Sequence, residues 1–312
     1  MSAPDEFEQI ARLYRPLTRG AAGAFDLLDD AAVVASRPGM DLVLTKDAIV
    51  EGVHFLPGTA PGLIARKLLR VNLSDLAAKA AEPYAYLLAA AWPAAYGWPE
   101  RQAFAEGLRQ DGEAFDLILL GGDTSSTPGV LTLSLTLLGW VPAGRMVRRA
   151  GAKPGDLLMV SGTIGDGGLG LAAARGEIPD PGGFLTDRYN SPQPRLDLRD
   201  TLRAGAHAAC DVSDGLVADA GHIARASGVG LVLRLDRLPL SPPAARWLDA
   251  QPHRAGGLLR LATSGDDYEV VCAAPAPLAG FTVIGEATAG PGIQVLAGGR
   301  TLDPGPGGWR HG

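Results

Sequence analysis

Apolar runs of strand length recur along this chain, and several of them meet aspartates set beside glycine. Leu117–Leu120 runs into Gly121, Gly122, Asp123 and Thr124; D-V-S-D-G-L (Asp211–Leu216) and S-G-D-D-Y-E (Ser264–Glu269) repeat the theme. Between the runs lie stretches with helical periodicity, punctuated by 42 glycines and 24 prolines. Strands alternating with helices make an α/β chain, and acidic residues at strand ends fall where ligand sites of such folds lie.

The first half contains an amphipathic helical pattern over Glu6–Tyr14 and expected strands at Ala31–Ala35 and Asp41–Val50. A helix over Leu63–Ala81, stopped by Pro83, precedes a strand at Tyr84–Ala91, a helix at Glu100–Gln110 and strands at Leu117–Leu120 and Val130–Val141. In the last of these Leu131, Leu133, Leu135 and Leu137 alternate with Thr132, Ser134 and Thr136, one apolar face against one polar face. The Gly-, Pro- and Arg-rich segment Pro142–Gly155 reads as a boundary, dividing the chain into domains at 1–143 and 144–312. The second half is expected to carry strands at Asp156–Ser161, Gly230–Leu235, Tyr268–Ala273 and Phe281–Glu286, and helices near Gly167–Arg175 and Gly215–Ser227.

A net charge of -6 without a Lys/Arg cluster speaks against nucleic-acid binding. No apolar run reaches the ~18 residues of a membrane span, and the acidic N-terminus lacks a secretory h-region. A cytoplasmic protein is expected. Its two cysteines, Cys210 and Cys272, sit among apolar residues without C-x-x-C spacing and read as buried thiols.

Gly165, Gly167 and Gly170 spell G-x-G-x-x-G between a strand and a helix. The acidic residue that should close such a dinucleotide unit is missing: Asp187 lies in loop composition. The motif therefore reads as a tight turn, and with no Walker-type loop any nucleotide is held another way.

Asp29, Asp30, Asp47, Asp75, Asp123, Asp211, Asp214, Asp266 and Asp267 remain. Each alone could be a turn or capping residue. As a cluster they point to a cation, because two carboxylates about 4 Å apart repel by roughly 4 kcal/mol at an effective dielectric near 20. Hard oxygen donors without a His/Cys set favour Mg²⁺ paired with substrate phosphates. Neighbouring glycines (Gly121, Gly122, Gly215, Gly265) let backbone N–H groups approach phosphate oxygens, and Arg148 and Arg149 are candidate phosphate clamps.

The ordered set D-D-A-A-V (Asp29–Val33), T-K-D-A-I-V-E-G-V-H-F (Thr45–Phe55), V-N-L-S-D-L-A-A (Val71–Ala78), G-G-D-T (Gly121–Thr124), R-R-A-G-A-K-P-G-D (Arg148–Asp156), S-G-T-I-G (Ser161–Gly165), D-V-S-D-G-L and S-G-D-D-Y-E resembles the thiamine-monophosphate kinase family across nearly the whole chain. D-x-S-D-G is shared with the wider superfamily of aminoimidazole ribonucleotide synthase. The resemblance implies a two-domain α/β fold of that superfamily, with an N-terminal mixed sheet forming a barrel across a homodimer and a C-terminal α/β sandwich. It implies ATP in a cleft between the two domains, and direct transfer of its γ-phosphoryl group to the phosphate of thiamine monophosphate. Matched by motif, Asp30, Thr45, Lys46 (by position), Asp47, Asp75, Asp123, Asp211 and Asp214 resemble the magnesium set, with Asp47, Asp75 and Asp123 at its catalytic centre. Gly122, Asp123, Arg149 and Ser213 are similar to ATP contacts, and His54, Asp266 and Trp309 to contacts of thiamine monophosphate.

Three departures stand out: Leu28 replaces a glycine before D-D, Lys46 replaces a hydroxyl residue, and Asp266 replaces a glutamate. Two other readings stay open, another ATP-using enzyme of the superfamily and a nucleotide-binding scaffold whose catalysis has decayed. The first is disfavoured in its selenophosphate-synthetase form, since no cysteine precedes Cys210.

Overall fold

The computed structural model describes residues 6–305 and 307–309. The chain divides into two compact units, Met1–Leu76 with Ala81–Gly144, and Ala77–Ala80 with Arg145–Gly312.

The first unit opens with the short helix α1 (Glu6–Gln9), which widens into a π-helical turn over Ile10–Tyr14. It then holds β1 (Met40–Val50), α2 (Pro61–Ala78), β2 (Glu82–Pro93), α3 (Trp98–Ala114), β3 (Ile118–Thr127) and β4 (Thr132–Pro142). The four strands form one sheet in the order β1-β4-β2-β3, with β2 and β3 parallel and the other pairs antiparallel. Helix α2 buries Ile64, Leu68, Leu69, Leu73 and Leu76 completely. Each such side chain contributes roughly 1.5–3 kcal/mol by leaving water. Its contact with β4 is close enough that a Cβ on Gly139 would lie 2.9 Å from Leu76 Cδ1. Helix α3 crosses α2 at Gly107, where a Cβ would meet the Gly62 carbonyl oxygen at 2.4 Å. Below that crossing, Asp111 accepts hydrogen bonds from Arg70 Nε (2.6 Å) and Arg66 Nε (3.3 Å).

Two sequence expectations change here. Ala31–Ala35 is not a strand: the segment has no ladder partner and is tied by Val33 N donating to Gly23 O. Asp123 does not end β3 but sits inside it, because parallel pairing with β2 carries the strand past the apolar Leu117–Leu120 stretch as far as Thr127.

The second unit is built on a seven-stranded mixed sheet. Its strands are β5 (Leu157–Ser161), β6 (Ala208–Asp211), β7 (Gly230–Arg234), β8 (Val270–Ala274), β9 (Phe281–Thr288), β10 (Gly292–Ala297) and β11 (Arg300–Leu302), in the order β11-β10-β7-β9-β5-β8-β6. Six α-helices accompany it among the described residues: α4 (Asp166–Ala174), α5 (Phe184–Asn190), α6 (Arg199–Gly205), α7 (Leu216–Ser227), α8 (Pro242–Asp249) and α9 (Arg254–Thr263). The central strands β5 and β8 are almost wholly buried, as continuous apolar runs require. Cys210 on β6 and Cys272 on β8 are buried free thiols, and burial pushes both above the ordinary thiol range. No helix among the described residues is long and apolar enough to cross a membrane.

Candidate active site

Strand alternation on β1 sets the first group of side chains. Thr45 and Asp47 share one face of the strand, and Lys46 between them takes the other. Thr45 Oγ1 donates to the Asp75 carboxylate of α2, and Asn72 Oδ1, one helical turn before Asp75, accepts from Asp47 N at 3.1 Å. Burial lifts the Asp47 carboxyl to about 6, with the neighbouring Asp75 charge as the second cause. This unit thus holds two carboxylates and a hydroxyl that repel or share a proton unless a cation joins them. The donors are all hard oxygens, the set that suits Mg²⁺. Asn72 belongs to this group and was not among the expected site residues, although its place three residues before Asp75 on the same helix face could have marked it.

Lys46 is not brought to the carboxylates. Its Nζ donates to Ser134 Oγ at 2.8 Å on the exposed face of the sheet, and only its backbone stays in line with them. Leu28 is likewise less disruptive than a glycine replacement suggests. Its φ of -106° is right-handed, and the left-handed conformations fall instead on Phe25, Asp26 and Leu27.

A second group lines a cavity of about 670 Å³ in the same unit, with Asp29, Asp30, Gly121, Gly122, Asp123 and Thr124 on its wall. Gly122 is required there: a Cβ would lie 1.8 Å from the Leu88 carbonyl oxygen. One register row, Asp47–Leu135–Leu88–Gly122, spans all four strands. At ~4.8 Å per step, β1 and β3 lie roughly 14 Å apart along it. Asp47 and Asp123 are therefore too distant to ligate one ion, and any cations they hold occupy separate positions.

His54 sits in the turn after β1. Its Nδ1 accepts from Val50 N at 3.1 Å, which leaves Nε2 as the hydrogen-bearing nitrogen. A donor of that kind suits a phosphate oxygen.

The second unit collects the remaining positions. Asp211 ends β6, buried, and is followed by Ser213 and Asp214 ahead of α7. Ser213 O accepts from Asp266 N, and Asp214 O accepts from Trp309 N, both at 2.9 Å. Trp309 is 59% exposed. Asp219, which motif reading missed, accepts from Asp214 N and Gly215 N at 3.1 Å each, holding the loop as a capping carboxylate from inside the helix. Burial, then Asp214, lifts it to about 7. Asp214, Asp219 and His222 bring ligand-type atoms within 4.8 Å of one another. Arg149 is near enough to favour the charged form of Asp219 and to disfavour that of His222.

The glycine turn set aside as a nucleotide motif is occupied from within. Gly165 N and Gly167 N donate to the two oxygens of the buried Asp267 carboxylate at 2.8 and 2.9 Å. That carboxylate stands where an anion would bind, so the turn's amides serve the fold.

The model of the AIR synthase related protein N-terminal domain matches residues 28–141, and that of the C-terminal domain matches residues 153–298. The chain is 56% identical to the thiamine-monophosphate kinase of Caulobacter vibrioides, over 99% of this chain and 91% of the relative. A crystal structure of thiamine-monophosphate kinase from Stenotrophomonas maltophilia K279a aligns with a TM-score of 0.78 at 36% identity, covering 88% of this chain and 91% of that one. The structure of AaThiL complexed with AMPPCP and TMP aligns with a TM-score of 0.79 at 30% identity, covering 89% of each chain. With both domain models matched and a relative this similar over almost its full length, the chain belongs to the thiamine-monophosphate kinase family within the AIR synthase related fold.

Proposed function

We propose that this protein transfers the γ-phosphoryl group of ATP to the phosphate of thiamine monophosphate, giving thiamine diphosphate and ADP. The observation that carries the reading is the Thr45–Asp47–Asp75 group, hard oxygen donors in which burial, and then the Asp75 charge, raises Asp47 and calls for a cation. Asp30, Asp123, Asp211 and Asp214 complete the set that would hold Mg²⁺, with Lys46 contributing no more than its backbone. Magnesium, when bound, supplies the positive charge that lets two polyanions meet.

The chain's own groups then do the positioning. Gly122 and Asp123 border the phosphate path, and Ser213 and Arg149 are assigned to ATP. His54 offers Nε2–H to the acceptor phosphate, while Asp266 and Trp309 are assigned to the thiamine end. No general base is needed, because the attacking phosphate oxygen is already ionised; catalysis rests on alignment and charge neutralisation. Lys46 and Leu28, the departures on which a decayed scaffold would rest, stand beside an intact Thr45–Asp47–Asp75 group, which supports the catalytic reading.

A homodimer joined through the first unit is part of the reading. The face of its sheet carrying Lys46 also exposes Leu44 (61%) and Leu87 (40%), with Ala48 and Ala89 exposed beside them. A second copy of that face is the natural cover. Work in the cytoplasm, with no nucleic-acid or membrane partner, fits the charge and the free thiols.

Incubating the purified protein with Mg-ATP and thiamine monophosphate, and separating products by chromatography, tests the activity. Thiamine diphosphate is expected in step with ADP. ADP alone would assign another acceptor, and ATP binding with neither product would favour the scaffold.

A further inference from the structure

The segment after α9 is unusual: two of three consecutive residues, neither a glycine, adopt left-handed backbone conformations. Asp266 has φ 65° and Tyr268 has φ 51°. Aspartate tolerates this region; for a bulky tyrosine it is a genuine outlier, of the kind that clusters at ligand clamps.

The surroundings hold the segment in place. Asp266 N donates to Ser213 O at 2.9 Å and Tyr268 N to Val212 O at 2.8 Å, which ties both residues to the D-V-S-D-G loop. Between them Asp267 is fully buried; its carboxylate takes the Gly165 and Gly167 amides, and its carbonyl accepts from Arg188 at 3.0 Å. Glu269, next along, is bound by Ser161 Oγ at 2.7 Å, by Arg188 at 2.9 Å and by Arg195. Asp267 and Glu269, beside the left-handed pair, are thus fixed. One product of this geometry is a contact between side chains two residues apart: Tyr268 Oη donates to Asp266 Oδ1 at 3.2 Å. The buried Tyr189 also lies close enough for the Asp266 charge to raise its hydroxyl, after the larger effect of burial.

We infer that Tyr268 is a positioning residue for substrate selection, its hydroxyl fixing the Asp266 carboxylate so that the other oxygen faces the thiamine moiety. This rests on the assignment of Asp266 to thiamine monophosphate. The carboxylate is an acceptor with up to four lone-pair sites, and a neutral donor on one oxygen sets the direction of the other without cancelling its charge. Such a group recognises a ligand that is cationic or bears an amine, as the heteroaromatic part of thiamine does.

The test is Tyr268→Phe, which keeps the ring and removes one oxygen, compared with Asp266→Asn. Steady-state kinetics would be measured against thiamine monophosphate and against ATP, with thermal melting of each variant. Loss of a hydrogen bond to a charged group is expected to raise KM for thiamine monophosphate about tenfold in Tyr268→Phe. KM for ATP should stay within about twofold and kcat within about threefold, with the melting temperature unmoved. Asp266→Asn should raise the same KM at least as far. If Asp266→Asn raises KM and Tyr268→Phe does not, Tyr268 has no positioning role and the assignment of Asp266 survives. Should Tyr268→Phe raise both KM values together and lower the melting temperature, its role is structural. If Asp266→Asn leaves the KM for thiamine monophosphate unchanged, the assignment of Asp266 fails and the inference with it.

Discussion

At the scale of single residues, the decisive feature is a buried carboxyl set beside a second one. Asp47 is lifted to about 6 by burial and by Asp75. A carboxyl whose folded value lies above its unfolded ~3.9 destabilises the folded state when ionised. That penalty is full above the folded value and disappears as pH falls toward the unfolded one. Metal-free Asp47→Asn is therefore expected to be more stable than the wild type at pH 7, by on the order of 1–2 kcal/mol. The gap should close by pH 4–5, as read by urea denaturation in EDTA, and a gap that widened at low pH would contradict the account. Asp75→Asn and Asp123→Asn make the complementary prediction. Each should lower kcat by about 10²–10³ while moving the melting temperature little; near-normal turnover would remove the residue from the metal set.

At the scale of elements, α2 connects packing to chemistry: its apolar stripe seats it on the sheet, which presents Asn72 and Asp75 to β1. Asp111 of α3, only 2% exposed, fixes that helix through Arg66 and Arg70. Asp111→Ala leaves two arginines without their acceptor and is expected to cost about 3 kcal/mol, measured as a drop in the urea midpoint. Much of this scale was legible in the sequence. The helix Leu63–Ala81 and the alternating strand near 130–141 follow from periodicity, and Asp47 and Asp75 were marked by motif. Other features depend on long-range partners that local pattern does not carry. Ala31–Ala35 has strand composition and no ladder to join, whereas β3 continues through a polar stretch because β2 runs beside it. Short helices such as α5 and α6 carry too few turns to show a period, and β10 and β11 lie among glycines that read as loop. Asp219 went unnoticed because its task is defined by two backbone amides four and five residues upstream.

At the scale of the whole molecule, two matters are separable. Assembly is one: the exposed Leu44 and Leu87 belong to a face proposed to meet its copy. Leu87→Glu is expected to shift sedimentation from about twice the 32.2 kDa chain mass to a single chain, since a buried unpaired charge costs several kcal/mol. An unchanged dimer would place the interface elsewhere. Chemistry is the other, and its claim is that phosphate itself is the acceptor. Phosphorus NMR of the protein mixed with Mg-ATP and thiamine monophosphate follows both reactants in one tube. The account predicts that the monoester resonance is replaced by the coupled pair of a thiamine diphosphate as ADP appears; ATP consumed to inorganic phosphate, with the monoester untouched, would contradict it.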